Sequence, residues 1–377
     1  MSMTAVSPSA NFLENLFTWI RTESPTHDVA GVNRMMDLVE AEVSDAPVAV
    51  ERLPGRDGFG DTLILRAGPE RSEPGILLLS HLDTVHPVGT IEVDLPLKVD
   101  GDRLYGPGVY DMKGGAYLAL QAFKAVARSG SAAKPLVFLI TPDEEVGSPT
   151  TRTIIEDCAR RSAYSLVTEP ARDGGKIVTS RKGVGRFEVK VEGRPAHSGS
   201  RHQDGRSAIR EAARQILRIE NMTDYGRGVT TTVGLISGGT AMNVIPQHCH
   251  FSVDLRVETV ADGEAYEAAL LGLSPHDPDV SVTVIGGMNR PPYERTPAVE
   301  KLFEHARALA AELGFDLQDV PRTGGGSDGN FTAALGVPTL DGLGIDGDGA
   351  HTLQEYGLIS SIQPRQQLME RLLQTLR

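Results

Sequence analysis

A chain of 377 residues has room for two domains of about 100 to 200 residues each, or for one large α/β domain. Hydrophobic residues at 40% and charged residues at 23% are usual for a folded globular protein and exclude a disordered, collagenous or coiled-coil chain. With 50 Asp and Glu against 37 Lys and Arg the net charge is -13, which repels nucleic-acid phosphates and anionic membranes, and the two cysteines, Cys158 and Cys249, are too few for a disulfide framework or a cysteine-based zinc module.

Any metal must therefore be held by histidines and carboxylates. The first ten residues, MSMTAVSPSA, contain neither a basic nor a long apolar stretch, and no apolar run reaches the roughly 18 residues of a membrane span, so a cytoplasmic protein is expected. Apolar residues at helical spacing predict helices over 11–22 and 29–43, with Trp19 in the core. The run 75–80, GILLLS, reads as a buried parallel strand that ends at His81-Leu-Asp83. A helix over 114–129 leads to a second buried strand, 135–140, which runs into Thr141-Pro-Asp-Glu144-Glu145, and a third strand, 164–168, ends at Glu169. Three strands that each finish on a candidate ligand predict an open, mostly parallel sheet flanked by helices, with its site at the carboxyl ends of the strands.

From Gly183 the pattern changes. Residues 185–192 alternate apolar and polar, as a strand with one wet face does. A helix over 207–219, strands over 230–236 and 249–257, a helix over 264–273 and a strand over 280–285 follow, and this β-α-β-β-α-β order predicts a small α+β sandwich. A helix over 296–313 and a glycine-rich loop, Gly324-Gly-Gly-Ser-Asp328, that opens another helix return to the α/β texture. The expected organisation is a domain of 183–290 inserted into a larger one formed by 1–182 and 291–377.

His81, Asp83, Asp111, Glu144, Glu145, Glu169 and His351 are the candidate ligands. Taken singly, each pattern is also what a structural His-Asp pair or a solvated loop gives. Carboxylate and imidazole together suit zinc, manganese or cobalt, and two neighbouring ions need a bridging carboxylate. Glu144 and Glu145, adjacent after a buried strand, repel each other unless a proton or a cation is present.

The blocks His81-Leu-Asp83-Thr-Val, Gly106-Pro-Gly-Val-Tyr-Asp111-Met-Lys-Gly-Gly, Thr141-Pro-Asp-Glu144-Glu145-Val-Gly, Thr168-Glu169-Pro and Ala350-His351-Thr span about 75–357. Together they resemble the co-catalytic metallopeptidase family of glutamate carboxypeptidase, peptidase T, acetylornithine deacetylase, succinyl-diaminopimelate desuccinylase and aminoacylase. The resemblance implies two divalent ions, zinc first and cobalt or manganese as alternatives. It implies Asp111 as their bridge, His81 and Glu169 on one ion, Glu145 and His351 on the other, Asp83 behind His81, and Glu144 as general base. It also implies that the inserted domain is a lid and dimerisation domain. There His197, in Arg194-Pro-Ala-His197-Ser-Gly, would stabilise the oxyanion, and Asn243 and Arg256 would line the substrate side.

Arg290, in Met288-Asn-Arg290-Pro-Pro, resembles the arginine with which glutamate carboxypeptidase holds a terminal carboxylate, and Lys176 resembles that enzyme's second cationic contact. Gly325 and Gly326 would offer backbone N–H groups to a carboxylate. The expected activity is hydrolysis of an amide bond in a peptide or N-acyl amino acid, with release of an amino acid that has a free α-carboxylate. A deacylase of the acetylornithine or succinyl-diaminopimelate kind, a dipeptidase, and a catalytically silent binding homologue are the alternatives.

Overall fold

The computed structural model describes residues 8–320 and 322–377. Residues 1–7, which make up most of the N-terminal stretch read above, lie outside the described residues. Contacts divide the chain into two compact units: Met1–Ser180, Arg295–Thr323 and Ser327–Arg377 form the first, and Arg181–Glu294 with Gly324–Gly326 the second. The second unit thus begins two residues before 183, ends four residues after 290, and takes in three glycines from the loop that the sequence reading assigned to the larger domain.

The first unit is built on a six-stranded sheet ordered Ala49–Leu53, Thr62–Ala67, Leu136–Thr141, Gly75–His81, Ser162–Val167, Thr339–Leu340. The last four strands run parallel, and the first two are added antiparallel at one edge. Every residue of Gly75–His81 is buried. Successive side chains of a strand point to opposite faces, so its apolar run serves two cores. Ile76 and Leu78 join the large core with helices Ala10–Arg21, Val29–Val43, Gly114–Ser129, Pro297–Glu312 and Ile359–Thr375; Leu77 and Leu79 join a smaller one with Ile155, Ala159 and Phe331. The sheet is therefore mostly parallel and flanked by helices, as the strand-end ligands require. The strands Ala49–Leu53 and Thr62–Ala67 and the helix Ile359–Thr375 are additions to the elements read from sequence.

The second unit is a four-stranded antiparallel sheet ordered Thr230–Gly238, His248–Val257, Gly183–Glu192, Ser281–Arg290, with helices Ala208–Glu220 and Val260–Leu271. Along Gly183–Glu192, Phe187, Val189 and Val191 are buried while Arg186, Glu188, Lys190 and Glu192 are exposed, which is the alternation seen in the sequence. Helix Val260–Leu271 starts four residues before the predicted 264 because Thr259 caps it: the Thr259 hydroxyl accepts from the Asp262 amide at 3.1 Å and donates to the Asp262 carboxylate at 2.8 Å. The last strand runs past the Gly286-Gly287 pair and a register shift to place Arg290 opposite Val184. Cys249 is buried in this unit's core, and both cysteines are free. Among the described residues no helix is long and apolar enough to cross a membrane.

Because Leu78 has no exposed surface, Leu78→Ala is expected to destabilise the first unit by about 2–5 kcal/mol, whereas Lys190→Ala on the wet face of the other sheet costs less than about 0.5 kcal/mol. Shifts of the denaturation midpoints of the two variants check this.

Candidate metal centre

Parallel strands in register end at one edge. His81 pairs with Thr141, and Leu79 with Val167, so the segments carrying Asp83, Glu144 with Glu145, and Glu169 all leave the sheet side by side. Two further loops bring Asp111 and His351. Gly115 and Gly344 let the Asp111 segment approach closely: a Cβ on either would lie 2.1 or 2.4 Å from the Thr168 carbonyl oxygen.

Asp111 stands between two imidazoles. One of its oxygens lies 3.3 Å from His81 Nε2 and the other 3.3 Å from His351 Nε2. Glu169 Oε1 is 3.6 Å from His81 Nε2, and Glu145 Oε2 is 3.1 Å from His351 Nε2. Glu144 Oε2 is 4.0 Å from His81 Nε2. His81, Asp111 and Glu145 offer ligand atoms within 4.8 Å of one another, as do His81, Glu144 and Glu169. Buried His81 Nε2 and Glu145 Oε1 have no hydrogen-bond partner among the described residues. Imidazole and carboxylate donors that converge with buried lone pairs unmet fit divalent cations.

The electrostatics of the bare cluster point the same way. Burial and the charge of Asp111 push Glu145 up to about 8. Hydrogen bonds to Asp111 and Glu145 raise His351 to about 10. For Asp111, burial opposes ionisation, but the neighbouring imidazoles of His351 and His81 outweigh it and hold the carboxyl well below the usual range. Burial likewise opposes a charged His81, and Asp111 and Asp83 overcome it, so the imidazole is raised well above its ordinary value.

Two further carboxylates hold the cluster in shape. Asp83 is fully buried and accepts the amides of Glu144 and Glu145 at 3.1 and 3.2 Å and the Thr26 hydroxyl at 2.8 Å. His81 Nδ1 bonds to the Asp83 carbonyl oxygen at 2.9 Å, with the Asp83 carboxylate at 3.3 Å. The sequence reading gave Asp83 only the imidazole; its carboxylate also fixes the Glu144-Glu145 turn. Glu355 was not singled out from sequence. It is buried and accepts the amides of Gly108, Tyr110 and Asp111 at 3.0, 2.8 and 3.0 Å, with His86 Nε2 at 2.7 Å. Its place four residues after His351 was the available signal, but no spacing rule marks an anchor of this kind.

Lys176 lies in the first unit, in the loop after Glu169. The remaining candidates lie in the second. His197 is exposed, and its Nδ1 accepts the amides of Gly199 and Ser200 at 3.1 and 3.2 Å, which leaves Nε2 to carry the proton of a neutral ring. Asn243 is beside it, with its carbonyl accepting the Ser198 amide at 3.0 Å. Arg256 forks onto Asp254 at 2.7 and 2.9 Å and donates to the Gly324 carbonyl at 3.3 Å, so part of its charge is already met. Arg290 is buried, and Gly326 packs against it.

Residues 77–375 match the model of peptidase family M20/M25/M40. The chain belongs to this family. It is accordingly a metal-dependent hydrolase of the peptidase and amidohydrolase kind. Carboxypeptidase G2 of Pseudomonas sp. (strain RS-16) is 30% identical over 373 residues, covering 97% of this chain and 89% of that protein. Acetylornithine deacetylase of Myxococcus xanthus is 31% identical over 238 residues, 59% of this chain and 61% of that protein. The M20 fold is shared with the aminopeptidase PepT from Bacillus cereus ATCC 10987, at a TM-score of 0.75 and 20% identity, with 98% of each chain covered.

The M20 metal centre, when bare, stores protons that a cation must displace. Glu145 and His351 have folded-state pKa values raised from 4.5 and 6.5 to about 8 and about 10. Each therefore contributes stability to the metal-free protein that is full below the lower value and is lost as pH rises through the higher one. The metal-free protein is expected to unfold at lower temperature at pH 9 than at pH 6, and loading with zinc at pH 7 is expected to release protons, measurable by calorimetry in buffers of different ionisation enthalpy.

Proposed function

We propose that this chain is a two-metal amide hydrolase that releases an amino acid with a free α-carboxylate, acting on peptides or N-acyl amino acids. The observation that carries the reading is Asp111 between His81 and His351, with Glu169 and Glu145 on either side and Glu144 next to them. His81, Asp111 and Glu169 would hold one divalent ion and Asp111, Glu145 and His351 a second, zinc first. Bound there, the pair would supply Lewis acidity toward the scissile carbonyl and acidify the attacking water.

The remaining work falls to the chain's own groups. Glu144 takes a proton from the attacking water and returns it to the leaving nitrogen. Its amide is fixed by Asp83, so the carboxylate is aimed in advance. His197, with its proton on Nε2, donates to the developing oxyanion. Arg290 holds the terminal carboxylate, with Asn243, Arg256, the N–H groups of Gly325 and Gly326, and Lys176 completing substrate recognition. The similarity to carboxypeptidase G2 over nearly the whole chain supports the carboxypeptidase form of this reading over the deacylase form. Two free cysteines are in keeping with a cytoplasmic location.

A screen of N-acyl and N-peptidyl amino acids on metal-loaded enzyme tests this, with carboxyl-amidated versions alongside. The expected result is turnover of the free acids and its loss on amidation; equal rates on both would remove carboxylate recognition. Glu144→Gln is expected to retain both metals and lose at least about 100-fold in kcat, whereas metal content falling together with rate would make Glu144 a ligand.

A homodimer through the second unit is part of the same reading. Thr230–Gly238 is an edge strand of its sheet and exposes Leu235 and Ile236, at 72% and 55%. An edge with exposed apolar side chains is a template for pairing. Leu235→Glu is therefore expected to convert a dimer to a monomer, as read by light scattering on a sizing column.

A further inference from the structure

We propose that Asp328 is a positioning residue that aims Glu144 by clasping the two ends of the turn that carries it. This rests on the amide-hydrolase reading above and adds to it a residue that acts through Thr141 and Ser148. The turn leaves the strand Leu136–Thr141 at its last residue and reaches Ser148 four residues before the helix Arg152–Ala159 begins, with Glu144 and Glu145 near its middle. Asp83 holds it from within, through the amides of the two glutamates. Asp328 holds its ends: one carboxylate oxygen accepts the Thr141 hydroxyl at 3.1 Å, and the other accepts the Ser148 hydroxyl. All three side chains are buried, so these bonds are shielded from water.

The chain departs from two local preferences to make this clasp. Asp328 opens the short helix Gly329–Ala334, where an aspartate ordinarily caps the first amides, yet its side chain makes no capping bond. The Ser327 hydroxyl takes the Gly329 amide at 3.0 Å instead, and the Asp328 carboxylate is turned to the Glu144 turn. Ser148 stands at φ 57°, a left-handed conformation that costs any residue with a Cβ, although glycine is at hand in the same turn as Gly147, at φ 99°. What serine offers there over glycine is the hydroxyl that Asp328 receives.

Both sides of the clasp are fixed. Next to Asp328, the Ser327 amide bonds to Asn330 Oδ1 at 2.9 Å and the Ser327 hydroxyl to Asp341 Oδ2 at 2.5 Å, while the Asp341 backbone pairs with Val178 at 2.7 and 3.1 Å. Thr141 lies in register with His81. From Ser148 the constraint passes inward, because its amide bonds to the Asp143 carbonyl at 2.8 Å and the Gly147 amide to the Glu144 carbonyl at 2.8 Å. With its ends held to one carboxylate, the turn keeps one shape and the base one direction. A base displaced by about 1 Å loses roughly 100-fold in rate, with no loss of substrate affinity required.

Deleting each hydroxyl separates this role from a merely structural one. Thr141→Val keeps the shape of the side chain, and Ser148→Gly relieves the left-handed backbone, so both remain testable where Asp328→Asn fails to fold. In the metal-loaded protein each of the three variants is expected to lose about 10- to 100-fold in kcat on an N-acyl amino acid that wild type hydrolyses, with KM within about twofold and both metals retained. Thr141→Ser, which keeps the hydroxyl, is expected to recover most of the rate. Combining Thr141→Val with Asp328→Asn is expected to cost less than the product of the two single losses, since they remove the same bond. A loss that falls on KM or on metal content, or a kcat that drops only in step with the melting temperature, overturns the proposal. Hydrogen exchange of the metal-loaded protein, read on the peptide 142–150, keeps the test independent of turnover: at least about tenfold faster exchange is expected in Thr141→Val and Ser148→Gly but not in Thr141→Ser, with the peptide 75–81 unchanged. Faster exchange in the turn, with no amide hydrolysed by wild type, would count against the hydrolase reading and leave the clasp standing; unchanged exchange would overturn the clasp.

Discussion

Repulsion among buried carboxylates is the constraint around which the first unit is organised. Asp83, Asp111, Glu144, Glu145, Glu169 and Glu355 are all largely withdrawn from water, and an isolated buried carboxylate is costly. The fold resolves this in two different ways. Asp83 and Glu355 are met by backbone amides, each accepting at least two. Asp111 and Glu145 are turned toward imidazoles instead, and the bare cluster holds protons where divalent ions would sit. The anchors are saturated by the chain, while the candidate ligands are left for something else to saturate.

This division explains how the centre is held to shape. The donors that saturate an anchor belong to a segment carrying a candidate ligand or the proposed base: Asp83 fixes the Glu144-Glu145 turn, and Glu355 fixes the segment from Gly108 to Asp111. Glu355 also shares its loop with His351, so one buried carboxylate ties Asp111 to an imidazole 240 residues away in sequence. Beneath them, the register of the parallel strands brings His81, Thr141 and Val167 to one edge, and two interleaved cores on either face keep that edge rigid. The placement of these side chains is a property of this frame, since none of them could hold itself there against its neighbours.

Much of this was legible in the residues. The run of Leu77, Leu78 and Leu79 demanded burial on both faces, the alternation from Phe187 to Val191 demanded one wet face, and His81, Glu144, Glu145 and Glu169 fell where parallel strands end. The misses have physical causes. Ala49–Leu53 lies at a sheet edge with three of its five residues exposed and none buried, so it carries little pattern. Gly286 and Gly287 read as a strand end, yet the ladder to Gly183–Glu192 continues through them. Thr259 looked like loop, although its hydroxyl opens a helix.

The sequence by itself determined the donor inventory, the two textures of the chain and membership of the metallopeptidase family, because residue types, periodicities and ordered motifs are local properties. Only the tertiary structure decided which carboxylates are met by backbone amides and which face imidazoles. Asp83, Glu355 and Glu145 are the same functional group in the sequence, and what separates them is the direction from which backbone amides arrive. Those amides come from segments 61 and 62 residues away for Asp83 and more than 240 for Glu355, a relation that no spacing along the chain records.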